Sequence, residues 1–271
     1  MPRSIGLSGS IIMSEPAKLS QLFTYDHINH IEIGEFPDEA AFHQFLKLLK
    51  EENKTFGLHS PLYRNQSKYD LLEKVQFHSE EAWIQFESEV ELMSKFGAEY
   101  ILVHFPYFKD KITDDVNLVI EDALKKLSIL QEKFSIPIVC EPKLGHNRST
   151  FGIEALHSFP IEIWDKYGIN ICIDIGDYLL AVEDETSSYI EKWKDHIKVV
   201  HLHNVEFQQN KYIWVPVHPS HETAPSYYNV GYLIKLLAKS SDVFFIFEHT
   251  PHSNPTRKFV EEGIRWVKSL I

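Results

Sequence analysis

Six apolar runs in this chain each end on a side chain able to hold a cation or move a proton: His59, His104, Glu141, Asp174, His201 and Glu248. The clearest is Asn170-Ile-Cys-Ile-Asp-Ile-Gly-Asp-Tyr178, which breaks at Asp174, Gly176 and Asp177. A short apolar run closed by glycine reads as a buried strand entering a loop. A carboxylate at such an end is costly unless a metal, a cation or a hydrogen-bonding ligand meets it. Six such ends in succession exceed chance, and carboxylates crowded together need a cation. Imidazole with carboxylate suits one or two divalent ions, Zn, Mn, Co or Fe. Cys140 and Cys172 precede Glu141 and Asp174 in their strands. Alternation is read as turning both thiols to the other face, which excludes them as ligands.

These residues need a frame that brings them together. Apolar or alternating runs at 5–9, 30–34, 55–59, 100–104, 136–141, 169–175, 197–203 and 243–248 predict eight strands. Helical patterns are read at 17–23, 38–54 (with Asp38 as N-cap) and 67–96, as one or two helices ending at Gly97. Others follow Thr113-Asp114 through Leu130, span 151–166 with an interruption at Pro160, and cover 187–196, 230–239 and 256–270. Strand starts roughly 25 to 45 residues apart suit βα units, each strand being followed by helical pattern. A single (β/α)8 TIM barrel over residues 1–271 is the simplest architecture, and its strand C-termini form one rim where chemistry sits. A doubly wound open sheet is the alternative, weakened by the lack of Gly-x-Gly-x-x-Gly after the first strand. The Pro- and aromatic-rich piece from Asn204 to Asn229 is expected to be an irregular active-site loop.

A 44% hydrophobic content supplies a large core, and 27 basic against 39 acidic residues give a net charge of −12. That balance offers no general attraction to nucleic acid or anionic membrane. Two cysteines inside apolar runs fit reduced core thiols. No run approaches the ~20 residues of a membrane span, and the opening Met-Pro-Arg-Ser-Ile-Gly-Leu shows no secretory core. A cytoplasmic location is the expectation.

The pieces Leu58-His-Ser-Pro-Leu-Tyr-Arg-Asn65, Ile101-Leu-Val-His104, Val139-Cys-Glu141, Ile173-Asp-Ile-Gly-Asp177, Val200-His-Leu-His-Asn204 and Phe247-Glu-His-Thr-Pro251 resemble the xylose-isomerase-like TIM barrels. That superfamily includes endonuclease IV (AP endonuclease family 2) and sugar-phosphate isomerases and epimerases, and the resemblance covers nearly the whole chain. It implies a shared metal site on Glu141, Asp174, His201 and Glu248. In the nuclease branch it implies a second site in which His59 and His104 share Glu141. A third site there uses a His where this chain has Asp177, and an Asp-x-His pair where it has Pro216-Val-His218, so the third site is altered.

The plain alternative for the four shared positions is an ion-pair network at the rim. Few Lys or Arg lie nearby in sequence to balance it, which favours a metal. For His59 and His104, a second metal and a substrate-touching pocket are weighed evenly. His203 is read as a substrate contact or polar rim residue, Asp177 as a weak ligand or its hydrogen-bonding partner, and Trp214 as a platform for a sugar ring. His218 is the better site candidate of the loop histidines. Glu32 is a candidate to orient a rim histidine. Lys143, Asn147 and Arg148 are expected in a solvated loop, and Trp83, Trp164, Trp193 and Trp266 in helix packing. Three functions follow. The first is a sugar or sugar-phosphate isomerase or epimerase with Glu141 and Glu248 as base and acid. The second is a metal-dependent phosphodiesterase acting on DNA. The third is a barrel that binds a metal or ligand without catalysis.

Overall fold

Alternation along eight short parallel strands sorts the side chains into two layers. The strands are β1 (Ser4–Ser8), β2 (His30–Ile33), β3 (Thr55–His59), β4 (Ile101–His104), β5 (Ile138–Glu141), β6 (Asn170–Asp174), β7 (Ile197–Leu202) and β10 (Phe244–Phe247). They close in the order β1-β10-β7-β6-β5-β4-β3-β2. This computed structural model describes residues 3–112, 115–208 and 211–271. Ile31, Ile33, Ile171, Ile173, Val200, Leu202, Phe245 and Phe247 belong to the large core packed against the helices. Tyr100, Leu102, Val139, Cys172, Val199, Phe244 and Ile246, offset by one, make the second cluster inside the barrel. No helix among the described residues is long and apolar enough to cross a membrane.

The register delivers the ligand candidates to one end. His104 pairs with Glu141 across β4 and β5. Between β6 and β7 the register slips between Ile171 and Cys172, so that Asp174 pairs with His201. Without that bulge Asp174 would stand beside Val200, which faces the outer core. The irregularity thus sets these two ligand candidates side by side.

The helices are α1 (Glu39–Glu51), α2 (Ser79–Phe96), α3 (Val116–Phe134), α4 (Phe151–Ser158), α5 (Ile161–Tyr167), α6 (Ile175–Val182), α7 (Thr186–Trp193), α8 (Val230–Leu237) and α9 (Arg257–Leu270). Asp38 caps α1 by accepting from Ala41 N, Gly97 ends α2 in the left-handed region, and Pro160 separates α4 from α5. Thr113 and Asp114, ahead of α3, lie outside the described residues. Trp164 and Trp193 pack at 5.1 Å in the outer core.

Four expectations are corrected. The stretch 67–78 is irregular, because Asp70 Oδ1 accepts from the amides of Val75, Gln76 and Phe77, a local arrangement that competes with helix. Residues Pro16–Phe23, like Gly9–Ile12 after β1, form 3-10 turns instead of an α-helix. Helix α6 starts directly at the end of β6, with Asp174 as its cap, where the strand was expected to run on. The expected irregular loop after β7 is instead an antiparallel hairpin, β8 (Asn204–Gln208) and β9 (Lys211–Val215), followed by a short 3-10 turn.

Candidate metal and active site

The strand ends converge at the C-terminal mouth of the barrel. His201 Nδ1 lies 3.0 Å from Glu141 Oε1 and 2.8 Å from Glu248 Oε2. His104 Nε2 is 3.1 Å from Glu141 Oε2. His59 Nε2 is 3.4 Å from that oxygen and 3.8 Å from Glu248 Oε1. Glu141, Asp174, His201 and Glu248 each present a donor atom, all within 4.8 Å of one another, and so do His59, His104 and Glu141. Donors ~2.1 Å from an ion in tetrahedral array stand about 3.4 Å apart, so these spacings suit a divalent ion.

One buried atom tests that fit. Glu141 Oε2 makes no hydrogen bond among the described residues, although two imidazole nitrogens face it. An orphaned, fully buried carboxylate oxygen is costly, and a cation shared with His59 and His104 would relieve it. Burial lowers His104 to about 3, leaving a neutral ring with a lone pair to give.

Lys143 overturns one expectation. It is not in a solvated loop, and the carboxylates do have a basic neighbour. Its Nζ lies 2.6 Å from Asp174 Oδ2, 2.8 Å from Asp177 Oδ2 and 3.2 Å from Glu141 Oε1. Burial opposes charge on Glu141 and Asp174, but Lys143, with His201 and His203 respectively, outweighs it and holds both carboxyls low. Burial, reinforced by Asp174, pushes Asp177 up to about 6. Facing Glu32, Glu141, Asp174, Asp177 and Glu248 are the Lys143 ammonium and the His59, His201 and His203 rings, where burial opposes charge but nearby carboxylates push toward the charged form. A divalent ion taken up here would displace protons from those imidazoles.

The remaining candidates separate. Asp174 Oδ1 accepts from Asp177 N at 3.0 Å and pairs with His203 Nε2 at 2.8 Å. His203 is fully buried. A Cβ on Gly176 would collide with its ring, so glycine there lets the imidazole reach Asp174. Trp214 leans on His203 at 4.6 Å. His218 lies apart from the cleft lining, stacked on Phe259 of α9 at 3.9 Å and bonded to Ser220 Oγ at 2.7 Å. Cys172 corrects the exclusion of both thiols: two residues before Asp174, it shares the inward face, with its sulfur within 4.8 Å of donor atoms of Glu141 and His201. Cys140 does face the outer core. His249 was not singled out from the sequence; it is buried with neither ring nitrogen bonded among the described residues.

Above these groups opens a cleft of about 770 Å³, lined among others by His59, His104, Asp177, Trp214, Arg148 and Glu248. Tyr69 stacks on His104 at 4.9 Å, and the Arg148 guanidinium lies 4.1 Å above the Tyr212 ring at the rim. A cleft of this size suits a small molecule.

A sequence model of the xylose isomerase-like TIM barrels matches residues 21–270. The chain belongs to that family. No curated protein matches this xylose isomerase-like barrel in sequence. Among solved structures it is similar to 3-keto-D-glucoside 4-epimerase from E. coli, at 12% identity and a TM-score of 0.66, over 99% of this chain and 100% of that one. It is similar to an AP endonuclease, family 2, from Brucella melitensis, at 14% identity and a TM-score of 0.61, over 99% of each. It is also similar to the IolI protein with a bound zinc atom, at 14% identity and a TM-score of 0.65, over 98% and 96%. At these identities the likeness is one of fold.

Proposed function

We propose that this protein is a metal-dependent sugar or sugar-phosphate isomerase or epimerase. The observation that carries the reading is the pair Glu141 and Glu248, both within 3.0 Å of His201 Nδ1, with Glu248 lining a small-molecule cleft. Glu141, Asp174, His201 and Glu248 would hold the ion, with His59 and His104 available to it through Glu141 Oε2. A bound divalent ion would polarise a substrate carbonyl and hydroxyl. Glu248 lines the cleft and is the group placed to take the proton from the carbon beside that carbonyl. The C–H electron pair moves into a carbon–carbon double bond as the carbonyl oxygen gains charge, giving an enediolate. Glu141 would act as the second proton-transfer group. A proton returned to the opposite face gives the epimer; one returned to the former carbonyl carbon, with the adjacent hydroxyl's proton passed to the former carbonyl oxygen, gives the isomer. Trp214 and Asp177 would border the substrate, and His203 would hold Asp174 in place.

The phosphodiesterase reading needs further cations, and Lys143 already takes up Asp174 and Asp177. The acidic net charge also disfavours a polyanion. The test incubates the manganese- or cobalt-loaded protein in D2O with a panel of ketoses and sugar phosphates. Deuterium entering beside the carbonyl, and not with Glu248→Gln, supports the reading. Cleavage of abasic-site DNA without any such exchange overturns it.

A further inference from the structure

Barrel interiors are ordinarily packed with branched apolar side chains. Here one flank of the interior is polar from end to end, and His30, Glu32, Tyr100 and His201 on it are fully buried. Thr55 Oγ1 lies 2.8 Å from His30 Nδ1, and His30 Nε2 lies 3.3 Å from Tyr100 Oη. Tyr100 Oη donates to Glu32 Oε2 at 2.7 Å, and Glu32 Oε1 lies 2.8 Å from His201 Nε2. The chain therefore runs from the N-terminal end of the barrel to the floor of the cleft.

Counting donors gives this chain one direction. A carboxylate only accepts, so Glu32 takes the Tyr100 hydroxyl on one oxygen and requires an N–H on the other. The group facing that oxygen is His201 Nε2, which must therefore carry hydrogen. Tyr100 Oη, having donated, accepts from His30 Nε2–H, and His30 Nδ1 accepts from Thr55. His201 Nδ1 is then the nitrogen turned to Glu141 and Glu248, 3.0 and 2.8 Å away. These carboxylates also only accept, so the metal-free ring carries hydrogen on both nitrogens, and a cation would replace the hydrogen on Nδ1.

The backbone has been cleared for this column. Gly57 pairs with Glu32 in the sheet, and a Cβ there would stand 2.5 Å from the Tyr100 ring. Gly6 pairs with His30, and a Cβ there would stand 2.6 Å from Ile246 Cδ1 and 3.3 Å from His30 Cβ. Glycine weakens a strand interior and marks a close approach when it occurs there.

We infer that Glu32, backed by Tyr100 and His30, is a positioning residue that fixes the His201 ring with Nε2–H on Glu32 and Nδ1 turned to the cation site. Partners of this kind set the tautomer and orientation of a metal-binding imidazole, and their loss costs 10- to 100-fold in metal affinity. The inference rests on His201 as a ligand but not on the reaction catalysed.

The test reads the ring directly. Nitrogen-15 correlation spectra of the histidine side chains are recorded on the zinc-loaded protein, and zinc affinity is measured by chelator competition. The wild type is expected to show His201 bound through Nδ1 with hydrogen kept on Nε2. Glu32→Gln offers one acceptor to two donors and is expected to move the His201 nitrogen signals, with zinc affinity falling 10- to 100-fold. Tyr100→Phe keeps the ring that fills the space beside Gly57 and removes only the hydroxyl. It is expected to move the His201 nitrogen signals and weaken zinc several-fold in a protein that still melts cooperatively. A zinc-loaded wild type in which His201 binds through Nε2, or in which Nε2 carries no hydrogen, would overturn the inference. So would a Tyr100→Phe protein that loses thermal stability while its His201 signals and zinc affinity stay unchanged. Failure to exchange deuterium into sugars would count against the isomerase reading and leave these ring measurements unaffected.

Discussion

The ammonium of Lys143 lies 2.6 Å from Asp174 Oδ2, inside the cluster of carboxylates that the sequence assigned to a metal. It also reaches Asp177 and Glu141, so one cation is already part of the protein. This divides the site into a half neutralised by lysine and a half, around Glu141 Oε2, His59 and His104, that is not.

Replacing Lys143 by Met removes the partner of three buried carboxylates. Breaking a buried ion pair from one side costs about 3–5 kcal/mol, and that loss is expected in urea unfolding of the metal-free variant. Manganese should restore much of it, because the ion can take the vacated place. A loss that is the same with and without manganese would contradict the shared-site account.

Glu248 lines the cleft, whereas Glu141 is buried beneath it. Glu248→Gln is therefore expected to leave the melting temperature nearly unchanged and to lower proton exchange by ~10²–10⁴-fold, the contribution of a positioned acid or base. Retained exchange would move the proton transfer to another group.

Trp214 faces the cleft and leans on His203. If it stacks on substrate, Trp214→Ala should raise KM by ~3–10-fold, the value of one aromatic contact, with kcat little changed. A fall in kcat at constant KM would place it in the support of His203 instead.

Glu89, on α2, accepts from Ser60 Oγ at 2.6 Å, Leu62 N at 3.1 Å and Gln85 Nε2 at 3.1 Å, and so ties down the loop that follows His59. Burial pushes its carboxyl up from the ordinary 4.5 to about 7. The folded protein therefore holds this proton more tightly than the unfolded chain does. Its contribution is complete below pH 4.5 and is lost as pH rises through 7, by ~3 kcal/mol. Glu89→Gln should remove that part of the pH dependence. Parallel unfolding curves for the two proteins between pH 4.5 and 8 would refute the assignment.

Much of this was legible because strands repeat every two residues and because buried carboxylates must be answered. His59, His104, Glu141, Asp174, His201 and Glu248 each ended an apolar run, and the register gathers them at one mouth. The same period places Lys143 two beyond Glu141 and Cys172 two before Asp174 on the inward face, yet Lys143 was assigned to a solvated loop and Cys172 to the other face. The bulge that brings Asp174 beside His201 leaves no mark in composition. His218 was the better site candidate of the loop histidines, but beyond β9 its ring settles on Phe259 of α9. Segment 67–78 carried helix-compatible residues, and one aspartate with three backbone amides decided otherwise.

The most direct test of the central claim is metal analysis of the protein purified without chelator, loaded with manganese or zinc and desalted. One tightly held ion per chain, lost in Asp174→Ala and in His201→Ala, is the predicted result. A wild-type protein that retains no ion, or that retains it equally in both variants, would contradict the account.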